Sequence, residues 1–404
     1  MLVGCNQQAS LVRKQSTPTK TVLAANQIKV KPLSIYQYRT TNGDIYLGNL
    51  NSRIQSLEQL AIQHHSHRLL LASSLFHRFR VAGRLSDLSN AQLHLSSYLK
   101  QARSQQQQRD TALILQASLF SAMHQFEQAL EALQQLSNQA NQAIPVLRAE
   151  ILLAKGLYQQ AETMIESLSA QTTSTKNLQQ LSLQANLAIE QGHLTQGLQL
   201  FDQAQRQYRK TNPLLLSWIQ TQMGIALLRN RYLTEARTFF QTARQRLPVY
   251  YLATEHLAET ELKLGNLPNA ETVYIEVSQQ TGNPEYYAML AKTQKRLGKL
   301  DASTKNQQFA KQGYLELLRQ HPQAYAQHAA VFFFDTGDFD KALELAKLNV
   351  QNRQDVHSWL LLSRVYKAMQ QKTQACAALS KANRSGIHPP ELMTANASSQ
   401  CVRM

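Results

Sequence analysis

The chain has 404 residues, 43% of them hydrophobic, with only 14 Gly and 10 Pro and a formal charge of +16. That length allows two or three compact domains or one long repeat array, and the bias to Ala, Leu and Gln favours helix, so an all-α fold is predicted. These residues hold no run of about 18 apolar side chains, which excludes a membrane-spanning helix, and the three cysteines form no CxxC pair, which leaves zinc and thioredoxin-like redox motifs unsupported.

The chain opens "MLVGCNQQAS". Leu2-Val3-Gly4-Cys5 resembles the bacterial lipobox. The resemblance implies cleavage before Cys5 and a diacylglycerol on that residue. Lipid chains then anchor the protein at about 0.8 kcal/mol per buried CH₂. The basic and apolar segments of a secretory signal do not precede the motif, because Met1 stands directly before Leu2. The expectation is a start assigned too late or a sequence trimmed at the lipobox. Asn6 in place of Asp implies an outer-membrane lipoprotein facing the periplasm. The alternative is a cytoplasmic protein in which these four residues coincide with the motif. A Cys376–Cys401 disulfide is open to the chain only in an oxidising compartment.

Residues 1–33 read as lipobox and flexible tether, since "NQQASLVRKQSTPTKT" has neither a helical nor a strand period. Residues 34–50 read as a short β-hairpin. Ile35, Tyr36, Gln37 and Tyr38 alternate, and Asn42-Gly43 is the dipeptide a two-residue hairpin turn prefers. Residues 51–385 read as helical repeats, and 386–404 as a C-terminal tail.

The repeats are visible in "HQFEQALEAL", "GLYQQAETMI", "GHLTQGLQLF", "NRYLTEARTFF", "GNLPNAETVY", "GKLDASTKNQ" and "GDFDKALELA". A small residue recurs in register at Ala129, Ala161, Gly197, Ala236, Ala270, Ser303, Ala342 and Ala375. The step from Ala236 to Ala270 is the 34-residue tetratricopeptide period. A weaker copy spans Ala72 to Leu99, hinged at Gly83. One copy carries Met223, Gly224, Leu227, Ala236, Phe240, Ala243 and Pro248 in signature order; the last carries Trp359, Leu362, Ser363, Tyr366, Ala375, Leu379 and Ala382. On these residues the chain resembles the tetratricopeptide repeat (TPR) superfamily. The resemblance implies a right-handed superhelical solenoid of about eight to nine helix-turn-helix units. The physics agrees: a small residue lets two antiparallel helices approach, and neighbouring units bury what none buries alone. Gly156, Gly192, Gly265, Gly298 and Gly337 are predicted to end first helices, with His124 and Asn230 in that place elsewhere.

In such arrays the first helices line a concave groove. Lys292, Lys295 and Arg296, with Arg364 and Lys367, then form a basic floor suited to a carboxylate or an acidic peptide. Trp218 falls near the concave side as a candidate partner anchor, whereas Trp359 sits at a packing position. His64, His65 and His67 are predicted to lie in a turn between helices rather than to ligate a metal. No metal and no cofactor is expected. No P-loop, GxGxxG, HExxH or GxSxG is present, so no enzyme is expected.

The function these features predict is a non-enzymatic protein-interaction scaffold, tethered to the envelope by lipid alone and taking a protein or peptide partner. The alternatives are a soluble cytoplasmic adaptor and, motivated only by +16, a nucleic-acid binder. The basic residues are dispersed, without interleaved aromatics, which disfavours the last.

Overall fold

The computed structural model describes residues 30–101, 106–137, 143–170, 178–397 and 401. Cys5 and the tether up to residue 29 lie outside the described residues. Among those described there are twenty α-helices and no strand. None is long and apolar enough to cross a membrane.

Helix α1 (Gly43–Gln63) precedes nine antiparallel pairs. These are α2 (His67–Ala82) with α3 (Leu85–Gln101), α4 (Gln106–Ala122) with α5 (Phe126–Gln134), and α6 (Ala143–Lys155) with α7 (Tyr158–Ala170). Next come α8 (Leu178–Glu190) with α9 (Leu194–Gln207), α10 (Pro213–Arg229) with α11 (Leu233–Arg246), and α12 (Tyr251–Leu264) with α13 (Leu267–Thr281). The last three are α14 (Pro284–Arg296) with α15 (Leu300–Gln320), α16 (Pro322–Asp335) with α17 (Phe339–Asn352), and α18 (Val356–Ala368) with α19 (Lys372–Asn383). Helix α20 (Pro390–Ala397) follows, within what the sequence presents as a tail.

The residues in repeat register sit at the seams of these pairs. Ala129, Ala161, Ala236, Ala270 and Ala342 are fully buried, as are Phe240 and Ala243. At Gly224 an added Cβ would stand 2.5 Å from the Phe240 ring. Gly197 has Ile189 equally close. Ser303 replaces Ala without loss because its hydroxyl donates to the Ala291 carbonyl on the facing helix at 2.8 Å. Ser363 does the same toward Ala375. Trp359 and Tyr366 are half-buried, Trp359 beneath the Lys381 ammonium.

The β-hairpin does not form. Ile35–Gln37 make a turn, and Asn42 caps α1, its side chain accepting from the N–H groups of Asp44 and Ile45. Asp44 in the first turn suits the positive helix end, and Ile54, Leu57 and Ala61 supply the buried stripe. Gly43 serves close approach rather than a hairpin turn: a Cβ there would lie 2.6 Å from Pro248. The preceding segment has no strand partner because helix side chains satisfy its backbone. Gln205 donates to the Lys31 carbonyl and accepts from the Leu33 N–H, while Gln220 and Arg246 donate to the Leu33 carbonyl.

One register is also corrected. Gly156, Gly192, Gly265, Gly298 and Gly337 adopt positive φ, as does His124, but Asn230 does not; its neighbour Arg231 takes that role at φ 66°. Arg231 stands five residues before Ala236, as Gly156 does before Ala161.

The array closes on itself. The Gln354 N–H donates to the Lys155 carbonyl, and Asn352 donates to the His124 carbonyl. One pair further toward the N-terminus, Gln280 of α13 donates to the Ala82 carbonyl of α2. Helices α10 and α12 are consequently buried on nearly every face.

Candidate functional site

Closure turns the inner wall into a polar interior. Arg229, at the end of α10, is its centre. Its guanidinium donates to Glu190 of α8 at 2.6 Å and to Glu391 of α20 at 3.0 Å, with His357 of α18 at 3.2 Å. All three charged side chains are 12–15% exposed. Burial alone would raise the Glu190 and Glu391 carboxyls, but Arg229 and then His357 outweigh it, and both stay below the ordinary carboxylate range. The same attraction holds the Arg229 guanidinium charged against its own desolvation. Four elements distant in sequence therefore meet at one ion cluster.

Helix α20 is held there by a second tie, the Cys376–Cys401 disulfide. Arg353 and Asp355 form a further buried pair at 2.8 Å, and Asp355 caps α18 through the Ser358 N–H.

Two cavities lie beside this network. One of about 120 Å³ is lined by Phe79, Trp218, Tyr251, Tyr286 and His328 among others. A second of about 80 Å³ is lined by Asn186, Glu190, Arg229, His256 and Asp355 among others. Either has room for a few waters. His124 borders both, and burial first, then Arg353, pushes its imidazole well below the ordinary range.

Trp218 is 6% exposed, stacked edge-on against Phe201, and lines the larger cavity. Lys292 and Arg364 stand on either side of Asp335, at 3.3 and 3.0 Å. Arg364 also covers the Phe334 ring at 4.1 Å. Arg296 donates to the Leu262 carbonyl, and Lys295, Arg296 and Lys367 are exposed. The basic floor thus brings α14, α16 and α18 together and includes an acid, Asp335, that sequence reasoning left out. His64, His65 and His67 lie at the α1–α2 turn, where His65 stacks on Tyr98. Sequence reasoning also missed the Arg229 cluster. Its only signal was Glu and Arg closing successive first helices, which no short motif encodes.

The tetratricopeptide repeat family model matches residues 356–385. The last helix pair is a tetratricopeptide repeat. That pair is α18 and α19, and the eight pairs before it share its antiparallel form. Among curated proteins none matches the chain in sequence. Some solved structures are similar in fold. The chain is similar to PilF of Pseudomonas aeruginosa at 13% identity, over 63% of this chain and 96% of that one, with a TM-score of 0.31. A tetratricopeptide repeat protein of Parabacteroides merdae is similar at 16% identity, over 71% and 97%, with a TM-score of 0.34. IFIT1 is similar at 14%, over 91% and 88%, with a TM-score of 0.45.

Proposed function

We propose that the protein is a non-enzymatic interaction scaffold of the bacterial envelope, anchored through a lipid on Cys5. The observation that carries the scaffold reading is the stacking of helix pairs through nearly all of the described chain, with Lys295 and Arg296 exposed on the first helix α14 and Lys367 on the first helix α18. The partner surface is this basic rim, and the partner is a protein or peptide bearing carboxylates. Two features support the envelope location. Leu2-Val3-Gly4-Cys5 resembles a lipobox. The Cys376–Cys401 disulfide suits an oxidising compartment and would not persist in a reducing cytosol.

The test of the rim is a titration with a fluorescent Asp/Glu-rich peptide. The wild type binds with an affinity that falls as salt rises. The triple reversal Lys295→Glu, Arg296→Glu, Lys367→Glu weakens it at least about tenfold, since each reversal turns a rim attraction into repulsion. Equal binding by the two proteins rules the rim out as the docking surface.

A further inference from the structure

Within the array, α12 carries a constellation that neither the packing of the repeats nor the scaffold reading uses. Glu255, His256 and Glu259 project from one turn, and their ligand atoms all lie within 4.8 Å of one another. The His256 Nδ1 atom is 3.5 Å from Glu255 Oε1 and 3.4 Å from Glu259 Oε2. Those separations are close to the edge of a tetrahedron of ligands about 2.0–2.1 Å from a zinc ion.

The outer atoms of the two carboxylates are already spoken for. Glu255 Oε2 accepts from the Tyr286 hydroxyl at 3.4 Å, and Glu259 Oε1 faces the Lys263 ammonium at 3.2 Å. Their other oxygens point back toward His256. Metal sites orient carboxylates in this way, one oxygen held from outside and one turned inward.

Three buried polar atoms in this region lack a hydrogen-bond partner. Glu255 Oε1 is one, on a side chain 1% exposed. His256 Nε2 is another, on a ring stacked against Phe240 and lining the 80 Å³ cavity. The third is the Tyr274 hydroxyl, fully buried. A buried carboxylate oxygen without a donor is costly, on the order of 1–3 kcal/mol or more. A cation at the convergence point answers the orphan oxygen and the inward lone pairs together.

We propose that Glu255, His256 and Glu259 bind one divalent transition-metal ion, of which Zn²⁺ is the representative. The cavity beside His256 supplies the water that completes the shell and hydrates Nε2. One imidazole and two carboxylates suit such an ion better than Ca²⁺, which demands six or more oxygens. The site is structural in placement, buried in α12 at the centre of the closed array.

The experiment strips the full-length protein with chelator and titrates it with ZnCl₂ alone by calorimetry, with a parallel thermal melt. One equivalent binds the wild type and raises its melting temperature. Glu255→Gln weakens that binding about a hundredfold or more and abolishes the shift, and Glu259→Gln does likewise. Both variants keep the size and hydrogen-bonding shape of the side chain, so folding is retained. The triple variant His64→Ala, His65→Ala, His67→Ala leaves the binding unchanged. No tight equivalent in the wild type, or equal binding by both Gln variants, overturns the proposal. So does loss of binding in the histidine-turn variant alone.

Discussion

At residue scale the fold depends on a few places where no Cβ fits. At Gly156, φ is +80° and a Cβ would stand 2.4 Å from the Asp355 backbone nitrogen. That is a turn and a closing contact in one residue. Gly156→Ala should therefore cost several kcal/mol, on the order of 2–4, measured by urea unfolding. Gly265→Ala has the same positive φ with open space around it and should cost only about 1–2 kcal/mol. Equal losses would show that strain alone decides. His77 makes a second prediction. Burial, then Arg80 and Arg53, lowers its imidazole to about 4. The folded form keeps it neutral while the unfolded chain takes up a proton below about pH 6.5. Stability is thus present above that pH and is lost as pH falls toward 4, on the order of 3 kcal/mol in all. His77→Gln should flatten this part of the stability–pH curve; an unchanged slope counts against the assignment. The small residues at Ala129, Ala161 and Ala236 were legible from spacing alone, because close helix approach admits little else. Arg231 was not, because a non-glycine in the left-handed region shows no composition signal and Asn230 beside it looked the better candidate.

At the scale of elements, the ends of the array behave as clasps. Helix α20 carries Glu391 to Arg229 and is tied back by Cys376–Cys401 across 25 residues. Arg229→Met should strand Glu190 and Glu391 without a cation and cost about 3–5 kcal/mol. Cys401→Ser should cost about 3 kcal/mol by loop entropy, and should raise amide exchange in α20 before any other helix. Uniform exchange across the chain would argue that α20 is an ordinary repeat rather than a clasp. The sequence showed the helix pairs by period, but misread the N-terminal segment as a hairpin and left α20 unmarked within a tail. Asn42-Gly43 has two uses, a hairpin turn and a helix cap, and local sequence does not rank them. The choice is made by Pro248 and Gln205, more than 150 residues away, which dock the segment before it can pair as a strand. Helix α20 is only eight residues long and packs through one buried apolar residue, Leu392, so its pattern lies below what periodicity can register.

At the scale of the molecule, closure separates two surfaces. The interior holds charge pairs and the cavities beside Trp218 and His256. The proposed partner surface is the basic rim, and the net charge of +16 makes acidic partners the natural class. Which residues lie on first helices was legible from the repeat period. The array's degree of closure was not, because winding accumulates from small rotations at each repeat and depends on contacts such as Lys155 with Gln354 that no single copy contains. The proposed role of this closed scaffold is exercised while tethered in the envelope. Its most direct test is lipid labelling: the gene is expressed from its own locus with its upstream DNA, beside a Cys5→Ser copy, in cells fed a clickable fatty acid. Label is expected on the wild type in the membrane fraction and none on Cys5→Ser. A wild-type protein that is unlabelled and stays in the soluble fraction would contradict it.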